Sequence, residues 1–150
     1  MATARPPLPR LPEGTDTVAQ LSTLVVFMKE NHSYDNYLGM FERGDGFRRG
    51  PLGQPVNSNP DQYGNPVTVH HLPIPFNWSV DLSQTWNASH LQWNNGAMDG
   101  FVTTTGSTVP MGYFDEGDLP WYDGLARAFG VGDRFFSSAL APTFPNRRFL

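Results

Sequence analysis

A chain of 150 residues has the size of one ordinary domain and is long enough to bury a substantial core. Its net charge of −4, with no dense Lys/Arg cluster, leaves no electrostatic footprint for nucleic acid. The absence of cysteine excludes disulfides and thiolate metal sites without fixing a compartment, and no apolar run approaches the roughly 18 residues a membrane-spanning helix needs.

Residues 1–20 read as a proline-rich, poorly ordered arm, with Pro6, Pro7, Pro9 and Pro12 favouring extended backbone. The arm lacks the apolar core of a secretory signal, which makes a cytoplasmic location the default. The first predicted strand covers residues 21–28, where Leu24, Val25, Val26 and Phe27 form the continuous apolar run of a strand buried on both faces. It ends abruptly in Glu30, Asn31, His32 and Ser33. Open α/β sheets bind ligands at the carboxyl ends of their strands, so this junction reads as the rim of an active site. Glu30 offers two hard oxygens and Asn31 a carbonyl oxygen, which together could hold one edge of a divalent cation facing a phosphate. The same junction also reads as a helix start, with Ser33 or Asn31 as N-cap. A short helix over 33–41 follows, with Tyr34, Tyr37, Leu38 and Phe41 at helical spacing and Gly39 near its end.

Residues 44–66 are rich in Gly, Pro and Asn and read as a long surface excursion ending in the turn Gly64-Asn65-Pro66, with Arg48-Arg49 as solvated surface charge. Residues 67–72 form a short predicted strand in which His70 and His71 point to opposite faces and do not act together. A helix is expected to run to about Asn94, capped by Ser83 or Asp81 and ended by Asn95-Gly96. On it Trp86, His90 and Trp93 share one face, with His90 in a packing role, and Asp99 is expected to stabilise a turn with Gly100. Asp118 as cap and Pro120 in the first turn start a further helix through Leu125, Ala128 and Phe129 that stops at Gly130. Residues 131–136 are strand-like, giving a second strand, loop and helix unit that leads to Thr143.

Thr143 lies at the expected start of a terminal helix. There, free backbone N–H groups and the helix dipole favour a bound phosphate and a deprotonated hydroxyl; a simple helix cap is the plainer reading. A threonine hydroxyl needs a metal or a base before it attacks. Four blocks then fall in order: Glu30-Asn31-His32-Ser33-Tyr34-Asp35-Asn36-Tyr37-Leu38-Gly39, Trp93-Asn94-Asn95-Gly96-Ala97-Met98-Asp99-Gly100-Phe101, Met111-Gly112-Tyr113-Phe114 and Ala141-Pro142-Thr143-Phe144-Pro145-Asn146-Arg147. In this combination the chain resembles the bacterial phospholipase C and acid phosphatase family of phosphoesterases.

The resemblance implies an α/β fold, the alkaline-phosphatase-like three-layer α/β/α sandwich, and hydrolysis of phosphoester bonds through a covalent phospho-enzyme. It implies Glu30 and Asn31 as ligands of a divalent metal ion and Thr143 as the nucleophile. Threonine at that position resembles the phospholipase C members and points to phosphodiesters such as phosphatidylcholine, whereas serine would point to acid phosphatases acting on phosphomonoesters. Asn146 and Arg147, one turn on, could donate to a phosphate oxygen or serve helix packing. Where many relatives have Asp-x-x-His-x-Trp, this chain reads Asp81-Leu82-Ser83-Gln84-Thr85-Trp86. Gln84 exchanges hydrogen bonds but cannot protonate a leaving group, which leaves a non-catalytic, phosphate-binding relative as the competing reading. Relatives of this kind are longer and supply further Asp and His ligands from a C-terminal half. Since residues 145–150 read as a helix just begun, residues 21–150 are expected to be the N-terminal part of a catalytic domain, nearly inactive alone. Metal identity and oligomeric state stay open.

Overall fold

The computed structural model describes residues 12, 23–29, 32–72, 74 and 82–149. By their contacts the residues divide into two units, Met1–Asn31 and His32–Leu150. Ser33 sets the start of the first helix, α1 (Tyr34–Leu38), because its Oγ accepts the Asn36 N–H at 3.1 Å. Gly39 ends it, donating its N–H to the Asp35 carbonyl at 3.0 Å. A Cβ on Gly39 would run into that same carbonyl and the Phe47 ring, so the turn needs glycine for close approach.

The expected excursion over 44–66 is more ordered than its composition suggests. β1 (Ser58–Pro60) pairs antiparallel with β2 (Pro66–Thr68), with Asn59 opposite Val67. Asp61 closes the hairpin, its carboxylate accepting the N–H groups of Tyr63 and Asn65, each at 2.8 Å, while Gly64 takes φ +84°. Arg48 and Arg49 are both exposed, as surface charges are, and the Arg49 guanidinium also donates to the carbonyls of Met40 at 2.6 Å and Gly53 at 3.3 Å, tying the loop to the end of α1.

The strand expected over 67–72 is divided between two sheets. Beyond β2 and the buried Val69, β3 (His70–His71) pairs in parallel with β4 (Gly112–Tyr113). Leu72, only 2% exposed, lies so close over Gly112 that any side chain there would collide with it. Phe47, Val69, Val102, Met111 and Tyr113 form the buried cluster beneath, with Met40 and Val67 packed against it.

Helix α2 (Trp86–Trp93) is capped by Thr85, whose hydroxyl accepts the Ala88 N–H at 3.3 Å; Ser83 lies outside the helix start. The helix ends at Asn94 in the left-handed region, and Asn95, Gly96 and Met98 also take positive φ before α3 (Phe101–Thr105). Helix α4 (Pro120–Ala128) has its proline in the first turn as expected, but Leu119 is the N-cap. The Asp118 carboxylate turns back instead to accept the Asp115 N–H at 2.9 Å. At the other end Arg43 donates to the carbonyls of Ala126 and Phe129, satisfying groups a helix C-terminus leaves open.

Two predicted strands do not form. Residues 23–29, within the first unit, carry no strand, and Leu24 and Phe27 are 83% and 81% exposed. A strand buried on both faces exists only where neighbours pair with it and layers cover it, and no described residue pairs with this run. Residues 131–136 form a turn and irregular chain, anchored by Arg134 Nε to Asp45 at 2.7 Å and by the Asp45 N–H to Asp133 at 2.9 Å, with Phe135 84% exposed. The last helix, α5, spans Thr143–Arg147. Helices with small parallel and antiparallel sheets make this a mixed α/β architecture. Among the described residues no helix is long and apolar enough to cross a membrane.

Candidate functional site

Thr143 occupies the first position of α5, behind Pro142 in extended conformation. The approach to it is built by Asn146. Its Nδ2 donates to the carbonyls of Ala139 at 3.1 Å, Ala141 at 2.8 Å and Pro142 at 3.3 Å, and its Oδ1 accepts the Ala139 N–H at 3.0 Å. The amide expected to face a phosphate therefore holds the loop that presents Thr143. A five-residue helix also lacks the summed dipole of a long one, so the electrostatic help expected at Thr143 is small. Arg147 sits exposed in the last turn of α5, and Gln84 is exposed in the segment leading into α2. The structure thus joins Thr143, Asn146 and Arg147 on one short helix and leaves Gln84 in the irregular segment before α2. Glu30 and Asn31 lie outside the described residues.

A cavity of about 490 Å³ opens between α1, the β1–β2 hairpin and the α2–α3 link, lined among others by Asp35, Asn36, Arg48, Asn59, Met98 and Asp99. Neighbouring protein displaces water from the Asp35 carboxyl and raises it above the usual carboxylate range, although the residue still opens on solvent. Asn36 is fixed by three hydrogen bonds at once. Its Nδ2 donates to the Gly112 carbonyl at 2.7 Å, its carbonyl accepts the Phe114 N–H at 2.8 Å, and its Oδ1 meets His32 Nδ1 at 2.6 Å. With Nδ2 engaged as donor, Oδ1 is an acceptor, which places a proton on His32 Nδ1; the ring stacks on Tyr37 at 4.4 Å. Asp99 accepts from Asn94 Nδ2 at 2.8 Å, so it stabilises the link after α2 through Asn94. His90 packs on Trp86, ring centroids 4.2 Å apart, and holds the Trp86 carbonyl at 2.8 Å, in keeping with its expected packing role.

A second constellation escapes sequence reasoning. His71 Nε2 lies 2.6 Å from Asp118 Oδ2 and 3.8 Å from Asp115 Oδ2, and one ligand atom from each residue falls within 4.8 Å of the others. This His/Asp/Asp group could hold a metal ion. Partial burial works to raise the Asp118 carboxyl, but the Asp115 N–H and the His71 ring outweigh it and hold the group below the usual range. His71 and Asp118 are 47 positions apart and meet only because β3 pairs with β4. No local spacing announces them; the available signal was a histidine at a strand end.

The family model described as the phosphoesterase family matches residues 21–150. The chain is similar to the hemolytic phospholipase C of Pseudomonas aeruginosa, 30% identical over 142 residues that cover 89% of this chain and 19% of that protein. It is 29% identical over 153 residues to the non-hemolytic phospholipase C of Burkholderia pseudomallei, covering 91% and 21% respectively. Phospholipase C A of Mycobacterium tuberculosis is 32% identical over 151 residues, covering 87% and 28%. The chain thus spans 19–28% of the length of these curated relatives.

Proposed function

Because the chain belongs to the phosphoesterase family, we propose that it forms part of a phosphoester hydrolase of the phospholipase C type, with Thr143 as nucleophile. The observation that carries this reading is the match to proteins named phospholipase C over nearly the whole of this chain. The fold inferred for the whole protein is the three-layer α/β/α sandwich. The substrate class is a phosphodiester of the phospholipid kind, since that is what a phospholipase C takes.

Glu30 and Asn31 are the residues inferred to hold a divalent cation. Their carboxylate and amide oxygens are donors suited to a hard or borderline ion. Such an ion, when bound, lowers the pKa of a coordinated hydroxyl and offsets phosphate charge. The Thr143 hydroxyl gives up its proton to water as its oxygen attacks phosphorus, the bond from phosphorus to the diacylglycerol oxygen breaks, and that oxygen takes up a proton. Water then attacks the phosphothreonine, releasing the phosphorylated head group and restoring the threonine hydroxyl. Gln84 cannot supply the leaving-group proton, so that proton comes from water or another side chain. Asn146 acts from behind the reaction by fixing residues 139–142, and Arg147, the cation on the same helix, is the residue inferred to meet a phosphate oxygen.

The test is turnover of a phosphocholine diester and of an aryl phosphomonoester by the intact protein, with and without chelator, beside Thr143→Ser and Thr143→Ala. Chelator-sensitive diester hydrolysis that disappears in the alanine variant and partly survives in the serine variant is expected. Preference for the monoester would move the assignment to a phosphatase. Undiminished turnover by Thr143→Ala would remove the nucleophile assignment.

A further inference from the structure

We propose that His71, Asp115 and Asp118 form a binding site for one divalent cation of the zinc class, independent of Glu30 and Asn31. The three residues come from the carboxyl ends of the parallel pair: His71 closes β3, and Asp115 and Asp118 lie in the turn that follows β4. That is where parallel α/β sheets present polar groups to ligands.

Ligand atoms around a tetrahedral ion, each about 2.1 Å from it, stand about 3.4 Å from one another. The two separations from His71 Nε2, 2.6 Å and 3.8 Å, straddle that value. Adjustment is open to the side chains that must move: those of His71 and Asp115 are 45% and 46% exposed, while that of Asp118, at 13%, is the anchor. Asp118 is held by the Asp115 N–H, and the His71 ring rests against Tyr113 at 5.9 Å, so ligands from both strand ends are oriented before an ion arrives.

Charge argues the same way. Two carboxylates converge on a single imidazole. The Arg127 guanidinium, which lines the same groove as Asp115, is taken up by Asp123 at 2.6 Å and Glu116 at 2.9 Å. One imidazole nitrogen with two carboxylate oxygens suits zinc or manganese better than calcium or magnesium, which favour all-oxygen sets. The exposed His71 and Asp115 side chains leave the site open to water, which would complete the coordination. An ion there would tie the end of β3 to the turn entering α4.

The experiment is zinc titration of the chelator-treated intact protein by calorimetry, with cobalt(II) absorption as a spectroscopic readout and Glu30→Gln as the separating control. Expected is one equivalent of zinc retained in Glu30→Gln, with affinity falling at least about tenfold in His71→Gln and in Asp115→Asn, together with loss of the cobalt spectrum. Asp115→Asn keeps the Oδ1 acceptor used by the Gly117 N–H at 2.8 Å, so it preserves the turn and decides the matter should His71→Gln fail to fold. Equal zinc affinity in parent and Asp115→Asn, or loss of all zinc in Glu30→Gln, would overturn the proposal. Because the readouts are stoichiometry and spectrum, they stand apart from the hydrolase reading.

Discussion

Asn146 shows how much a single side chain decides near Thr143. Removing its amide strands the Ala139 N–H and the Ala141 carbonyl in a partly buried loop, while the Ala139 carbonyl keeps the Ala141 N–H at 2.9 Å. Asn146→Ala is expected to cost about 1–3 kcal/mol, read as a lower urea midpoint at unchanged slope. A variant with unchanged stability and a raised KM would instead make Asn146 a substrate contact. Asp35 gives a prediction in pH. Its carboxyl is raised by desolvation, so the folded state binds its proton more readily than the unfolded chain, and stability from this group increases as pH falls. At neutral pH the ionised group weakens the fold. Asp35→Asn should therefore raise the melting temperature at pH 7, and the gain should shrink as the buffer approaches about pH 4, near the ordinary carboxylate value. A lower melting temperature at pH 7 would refute it. Residue types along the sequence announced a hydroxyl at a helix start and an amide one turn on; they could not announce where the amide points, because that depends on the path of the preceding loop.

Elements governed by local chemistry were legible. Ser33, Gly39 and Pro120 mark helix ends through a side-chain acceptor, a tight turn and a missing N–H, all readable within a few residues. Strands were not, since an apolar run becomes a strand only if partners arrive, and neither 23–29 nor 131–136 has one among the described residues. The His71, Asp115 and Asp118 group was hidden for the same reason, being assembled by the pairing of β3 with β4. Glycine makes a sharp test at this scale. A Cβ on Gly100 would strike the Leu91 carbonyl and approach Gln92 Cα at 3.0 Å, because the link after α2 folds back against the helix it leaves. Gly100→Ala should destabilise by about 1–3 kcal/mol. Gly124, inside α4 with open space around it, should behave oppositely, Gly124→Ala stabilising by about 0.5–1 kcal/mol through helix propensity. Denaturation of both variants checks the pair: a stabilising Gly100→Ala would refute the close approach of the link to α2, and a destabilising Gly124→Ala would refute the open space around Gly124 in α4.

For the molecule as a whole, the distribution of aromatic surface carries the last expectation. The buried cluster is modest, and over residues 129–149 the aromatic side chains face solvent: Phe129, Phe135, Phe136, Phe144 and Phe149 are all exposed. Sequence reasoning placed Phe135 and Phe136 inside a strand, where they would be covered; in the structure the segment is held by polar ties through Asp133 and Arg134 instead. Exposed apolar area at this density favours association, because each contact that covers a ring removes it from water. This chain should therefore self-associate as its concentration rises, visible in sedimentation velocity as a growing weight-average coefficient. Phe135→Ser with Phe136→Ser should suppress that growth while leaving the far-ultraviolet circular dichroism unchanged, since neither ring belongs to the buried cluster. Should the double variant unfold, the two rings are part of the core in solution; should it associate as the parent does, the surface responsible lies elsewhere on the molecule.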